Sequence, residues 1–431
     1  MKVSARDGPI MDAPPGIKQR LIAMSFLQFF IWGAWLITVG NYWFATKGWG
    51  GAEFGAIFST LGISSVFMPA LTGIIADRWI NAERLYGALH ILGGIALACI
   101  PMVDHPVTFF WVIFAAMLCY MPTLSLSNSI AYNILKSGGF DVVKVFPPIR
   151  VWGTIGFIAA MWVTNLTGNK ASANQFYIAA TSAVVLGIYA FTLPACPPSR
   201  VAGKSSSWLN LLGLDAFRLF ANYKIALFFI FSMFLGGALQ LTNMYGDTYL
   251  SDFEKVPAYA DSFVVKYSTI IMSISQVSET LFILAIPFFL KRFGIKMVML
   301  FSMLAWVLRF ALFGWGDPAG GLWMIVASCI VYGMAFDFFN ISGSLFVETN
   351  TDPSMRSSAQ GLFMMMTNGF GAILGSIVSG YVIDRFFTTE GAKEWTGIWL
   401  SFALYALVIS IAFAVLFKHR HDSAETAGFT H

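Results

Sequence analysis

From Leu21 to Phe44 the chain passes without a charged side chain, and it does so again from Gly397 to Phe417. About 20 such residues, wound as a helix, cross the hydrocarbon core of a bilayer. Runs of this kind recur along the chain, and the composition agrees: of 431 residues 57% are hydrophobic and 11% charged, where soluble domains carry about 25% charged residues. A soluble globular protein is excluded. There is room for about a dozen spans with short connections.

Apolar runs read between polar punctuation predict twelve helices. In the first half they begin near Leu21, Ala52, Leu85, Val107, Ile149 and Gln175; in the second, near Ile225, Ser268, Lys296, Gly321, Gln360 and Gly397. The opening MKVSARDGPIMDAPPGIKQR is polar and rich in Pro and Gly, unlike the basic-then-apolar pattern of a cleaved signal, so the first span is expected to be retained. With an even number of spans both termini share a side. If that side is the cytoplasm, eighteen Lys and Arg fall in inner segments against six in outer ones, with Arg150 and Arg309 left aside within spans; this is the positive-inside bias. The expected organisation is a cytoplasmic tail over 1–20, a six-helix bundle over 21–196, a cytoplasmic linker over 197–222, a second six-helix bundle over 223–418 and a cytoplasmic tail over 419–431. This is an all-α polytopic membrane protein, with two halves that rock about a site near the bilayer midplane.

Several chemistries are unsupported. A net charge of +4 does not make a nucleic-acid surface. The four cysteines, Cys99, Cys119, Cys196 and Cys329, form no CxxC pair and read as buried thiols. No HExxH, GxGxxG, Walker loop or nucleophile elbow occurs, so neither an enzyme, a cofactor nor a metal is expected.

Polar groups inside the spans are costly, and each is a site hypothesis. In span 5, PPIRVWGTIGF sets Arg150, Thr154 and Phe157 along one helical face, after Pro147 and Pro148, which suit a helix start. The plain alternative is that Arg150 snorkels to the headgroups. Span 7, GGALQLTNMYGDTYL, aligns Gln240, Asn243 and Asp247. Its two amides suit either a ligand edge or interhelical bonding, and Asp247 reads as a solvated or cap-like residue near the outer surface. Span 8 places Gln276 and Glu279 one turn apart in IIMSISQVSETLFIL. A carboxylate at that depth either pairs with a cation or takes a proton. Span 10, IVYGMAFDFFNISGSLF, carries Tyr332, Phe336 and Asp337. Tyr332 and Phe336 are expected to line a cavity, and Phe338 and Phe339 to be core or lipid-facing surface. In span 11, Gly371, Gly375 and Ser379 follow the spacing of a close helix contact. The sequons at Asn165 and Asn340 are read as accidental.

The loop GIIADRWINAER holds Gly73, Asp77 and Arg78 at the spacing of the inner-loop motif of the major facilitator superfamily, with FFLKRFGIK at the matching place in the second half. A helix-end Asp beside basic residues can latch neighbouring helices there. The motif is partial, since Ile80, Asn81 and Ala82 stand where Gly and basic residues usually follow.

MSFLQFFIWGAWL, VFMPALTGIIADRW, FPPIRVWGTIGF, IMSISQVSETLFILAIPFFL, VYGMAFDFFNISGS and MMMTNGFGAILG together closely resemble the nucleoside:proton symporter family within that superfamily, from about Met24 to Lys418. The resemblance implies twelve helices in two bundles around a central cavity, and uptake of nucleosides such as uridine and adenosine across the bacterial inner membrane, driven by the proton gradient. It implies a monomer whose partners are nucleoside, protons and lipid. Carried over motif by motif, it implies substrate binding by Arg150, Thr154, Phe157, Gln240, Asn243, Gln276, Glu279, Tyr332 and Phe336, and proton coupling by Asp337 and Glu279. The inventory suits a flat base and a hydroxylated ribose: aromatic faces stack, amides pair, and charged groups hold hydroxyls. A sugar or polyol symporter of the same fold is the alternative.

Overall fold

A computed structural model of the chain describes residues 15–198, 214–352 and 355–419. Most of the two tails and of the central linker, as drawn from the sequence, lie outside these residues. Nine helices among the described residues are long and apolar enough to cross a membrane. Twelve spans were expected, and three local features account for the smaller number. Ser268–Trp315 is continuous for 48 residues except at Gly294, whose φ of 75° breaks the helical path, so it counts once. The first run is helical over Pro15–Gly33, opens into a turn, and resumes over Val39–Asn41 and a π-helical Tyr42–Thr46. Asn174–Ala190 is helical for only 17 residues.

Gly294 sits in the FFLKRFGIK segment, where the chain must reverse between two antiparallel arms. A left-handed backbone there costs glycine little and other residues more. In the opened turn after Gly33, the Ala34 carbonyl accepts from the Thr164 hydroxyl at 3.0 Å. A neighbouring side chain thus serves a backbone group that lipid could not. One local expectation is corrected. Pro147 and Pro148 do not precede their helix but lie inside Val142–Leu166, in its second turn. The hydrophobic run begins earlier than the prolines suggested, and the helix accepts two missing donors near its start.

Leu284, Phe288, Val408 and Val415 are exposed around the outside, as a lipid-facing belt requires. Cys99 is also exposed, against expectation, because its helix turns that position outward; Cys196 and Cys329 are buried.

Within the first half, Pro15–Gly33 packs on Val142–Leu166, and Ala82–Cys99 on Asn174–Ala190. In the second, Leu322–Asn350 and Trp395–Leu416 pack on Ser268–Trp315. The glycine stripe of span 11 is a close contact, as its spacing predicted: a Cβ on Gly375 would stand 2.5 Å from the Gly237 Cα. Just before it, Met365–Gly371 is π-helical.

The halves meet at one end. Among the described residues, every hydrogen bond between them lies at the end bearing Gly51, Lys170 and Asp384, here called distal. Asn41 donates to Asp247, and the Gly51 amide donates to Asp384 at 3.2 Å. Asn165 donates to the Lys266 carbonyl at 2.8 Å and accepts from the Ile270 amide at 3.3 Å. The Lys170 ammonium donates to Ser251 and Ser268 at 3.3 and 3.1 Å, and to the Val265 carbonyl. Glycines bring the backbones together there: a Cβ on Gly380 would lie 2.5 Å from the Gly51 carbonyl. At the proximal end, which bears Asp77 and Lys136, no side-chain hydrogen bond links one half to the other among the described residues.

Candidate functional site

The first-half face of the site is built on Val142–Leu166. Arg150 is half-buried, with its guanidinium carbon 4.1 Å from the centre of the Phe29 ring. Gly153 makes this stacking geometry fit, since a Cβ there would come within 2.7 Å of both the guanidinium and that ring. Arg150 therefore does not snorkel away: a cation over an aromatic face is held inside the bundle. Thr154 and Phe157 follow along the same helix, both half-buried. The Phe157 ring meets Trp32 edge-on at 6.5 Å, and Trp32 leans on Tyr120 at 5.6 Å. Behind them Gln28 is fully buried, accepting from Tyr86 at 2.6 Å and donating to Thr123 at 2.9 Å.

Three helices supply the second-half face. Gln240 is buried and Asn243 half-buried on Tyr223–Asp252, and the Gln240 Oε1 has no partner in the protein. Gln276 and Glu279 lie on the first arm of Ser268–Trp315, and the Gln276 Oε1 is likewise unpartnered. On Leu322–Asn350 the Tyr332 and Phe336 rings stack 5.8 Å apart at an interplanar angle of 4°. A crevice beside Phe336 is lined by Leu235, Trp306, Asn340 and Asn368. Asp337 is buried, and its Oδ2 meets no donor.

The charged members form a chain. Arg150 of one half lies within electrostatic reach of Glu279 of the other, and Glu279 within reach of Asp337. Neither carboxylate is closed into a direct ion pair; the ion pairs among the described residues lie elsewhere. Buried oxygens left unpaired cost about 1–3 kcal/mol each, so Gln240, Gln276 and Asp337 together make a surface primed for hydrogen-bond donors. Flanked by parallel aromatic rings and a guanidinium, it suits a flat, neutral, hydroxylated ligand.

The remaining sequence candidates stand apart. Gly73, Asp77 and Arg78 are at the proximal end, where Asp77 and Arg78 are exposed and make no ion pair among the described residues. Asp247 is not solvated but fully buried at the distal junction, because the opposite half covers that end of its helix. Phe338 and Phe339 are core, as expected. Trp306, near the site, escaped sequence reasoning, and Arg309, read from the sequence as one of the few charges within the spans, was given no role there. Arg309 was visible as a charge in WVLRFALF, but nothing in that string places it against Tyr332, 4.7 Å away.

Comparison with known proteins identifies the family and the fold. The family model described as nucleoside H+ symporter matches residues 16–422. The chain is 53% identical to the nucleoside permease NupG of Escherichia coli (strain K12), over 95% of this chain and 98% of that one. It is 51% identical to the xanthosine permease of the same strain, over 94% and 97%. The crystal structure of the nucleoside transporter NupG superposes with a TM-score of 0.88, covering 94% of this chain and all of that one. A peptide transporter of the POT family in complex with sulfate, 15% identical, covers 94% of this chain and 95% of its own with a TM-score of 0.71, which shows the shared fold alone. The fold is thus the all-helical one of the major facilitator superfamily, and the chain belongs to the nucleoside H+ symporter family.

Proposed function

We propose that this chain takes up nucleosides, uridine and adenosine among them, together with protons across the bacterial inner membrane. The observation that carries the reading is the juxtaposition of Arg150, Glu279 and Asp337 across the two halves, beside the parallel Tyr332 and Phe336 rings and three unpaired acceptor oxygens. The base stacks against the aromatic residues. Base N–H groups and ribose hydroxyls donate to Gln240, Gln276 and the carboxylates, and Arg150 and Thr154 donate from the other side.

The Lys and Arg bias supports a cytoplasmic proximal end, with both termini on that side and twelve crossings in all. On this reading the two bundles over 21–196 and 223–418 are bonded to each other on the outer side and, among the described residues, unbonded on the inner side, which supports an inward-open state. Coupling follows from the charges. Arg150 attracts an ionised Glu279 across the cavity, and a proton on Glu279 removes that attraction. Asp337, with no ion-pair partner among the described residues, is the second proton site. Protonation together with bound nucleoside neutralises the cavity and frees the halves to rock. The carrier works as a monomer.

The test is uptake of labelled uridine into proteoliposomes holding the purified chain. Accumulation above equilibrium only under an inward proton gradient, with competition by nucleosides but not hexoses, is expected. Accumulation without a gradient, or hexose competition, overturns it.

A further inference from the structure

Arg309 is completely buried, yet no ion pair among the described residues includes it. Its guanidinium donates to the Ser328 carbonyl at 2.6 Å, and to the Ser275 and Thr242 hydroxyls at 3.4 Å each. The Ser328 hydroxyl returns a bond to the Arg309 carbonyl at 2.8 Å. Two ring faces enclose the guanidinium, Tyr332 at 4.7 Å and Phe313 at 5.0 Å, and Nη2 has no partner. A buried cation without a counter-ion is expensive, and an apolar side chain of similar volume would pack there at less cost.

The identity of the anchors explains why a cation persists. Thr242 precedes Asn243, Ser275 precedes Gln276, and Ser328 lies one turn before Tyr332. Each of the three helices that face the ligand in the reading above is held by a group next to its own ligand-facing residue. A planar fork of fixed donors meets several acceptors at set angles, which neither an ammonium nor a hydrocarbon chain does. We propose that Arg309 is a positioning residue of the nucleoside site, a pin that sets the spacing of the helices carrying Asn243, Gln276 and Tyr332 without touching the substrate. The inference rests on the site reading under Proposed function.

Equilibrium binding of labelled uridine to the purified full chain tests it, with affinity and number of sites per folded molecule read separately. Arg309→Lys and Arg309→Met are expected to weaken affinity about tenfold or more, the scale of a site misplaced by about 1 Å, with the number of sites unchanged. A purely structural role would lower the number of sites and leave affinity within twofold; that result overturns the proposal. Should neither Arg309 variant fold, Ser275→Ala combined with Thr242→Val removes two anchors and keeps the arginine, and unchanged affinity there overturns it equally. Phe336→Ala is the control. If it leaves affinity intact, the site reading itself fails; if it weakens binding while the Arg309 and anchor variants do not, only the pin fails.

Discussion

Asn41 and Asp247, 206 residues apart in the chain, are hydrogen-bonded across the two halves with both side chains out of solvent. The bond lies at the distal end, one turn beyond Asn243 along Tyr223–Asp252. Removing one partner leaves the other buried and unsatisfied at a cost of about 1–3 kcal/mol, enough to bias a two-state equilibrium by about tenfold. Asp247→Ala is therefore expected to shift the carrier toward the distally open state. A cysteine introduced at Ser376 and titrated with an impermeant thiol reagent from the distal side reads this shift. Labelling no faster than in the parent would remove the bond from the gate.

The same closure depends on the absence of a side chain at Gly380, where a Cβ would stand 2.5 Å from the Gly51 carbonyl. Backbone cannot move aside as a flexible side chain can, so overpacking here costs about 1–3 kcal/mol. Gly380→Ala should slow uridine uptake by roughly tenfold while leaving binding intact. Gly361→Ala, where a Cβ meets nothing within 4 Å, should leave both unchanged, and equal losses in the two would refute the glycine seam.

Lys393 lies in the short hairpin formed by Thr388–Thr389 and Ala392–Lys393, outside the spans, with its ammonium 3.5 Å from the centre of the Phe44 ring in the other half. Burial in this contact pushes its pKa down to about 8, with Asp252 pulling upward, Lys255 downward and Asp384 upward. The closed distal state thus binds fewer protons at Lys393 than a state in which it is solvated. The destabilisation is fully present below about pH 8 and is relieved as pH rises toward the ordinary lysine value of 10.5. Distal closure should strengthen between pH 8 and 10, and Lys393→Met should abolish that component. Half-maximal amine labelling of Lys393 near pH 8 is the direct check; labelling near 10.5 would contradict it.

Much of this arrangement was legible in the sequence because a bilayer leaves few options: charge is scarce, so Arg150, Glu279 and Asp337 stand out, and the Gly371 and Gly375 spacing announced a close helix contact. What stayed hidden depended on residues remote in the chain. Asp247 read as solvated because nothing in GGALQLTNMYGDTYL reveals that Asn41 covers it. Pro147 and Pro148 read as a helix start because proline is usually excluded from interiors, yet Val142–Leu166 carries them. The anchors of Arg309 sit on three helices, and no spacing rule brings them together.

Asp337 separates coupling from binding. Its carboxyl is buried, has no ion-pair partner among the described residues and lies within reach of Glu279. Asp337→Asn keeps the shape and removes the titration. It should lose gradient-driven uridine accumulation while retaining exchange of internal for external nucleoside, measured as counterflow in proteoliposomes. Undiminished, pH-dependent accumulation in the variant would take Asp337 out of the mechanism.

Phe336 and Phe338 are two residues apart but face different surroundings, which allows a paired test of the site. Phe336 is half-buried, stacked on Tyr332 and beside the crevice. Phe338 is fully buried against Phe282 and Phe289. Truncating a buried Phe to Ala costs about 3–5 kcal/mol of stability, whereas truncating a ring that stacks a ligand costs affinity. Phe336→Ala should weaken uridine binding about tenfold, since a base–aromatic contact is worth about 1–3 kcal/mol, with melting temperature little changed. Phe338→Ala should lower the melting temperature and the yield of folded carrier, with the affinity of the surviving fraction intact. Equal losses of affinity in the two would mean that the ligand does not stack on the Tyr332–Phe336 face, and the aromatic wall would have to be sought on Phe157 and Trp32 instead.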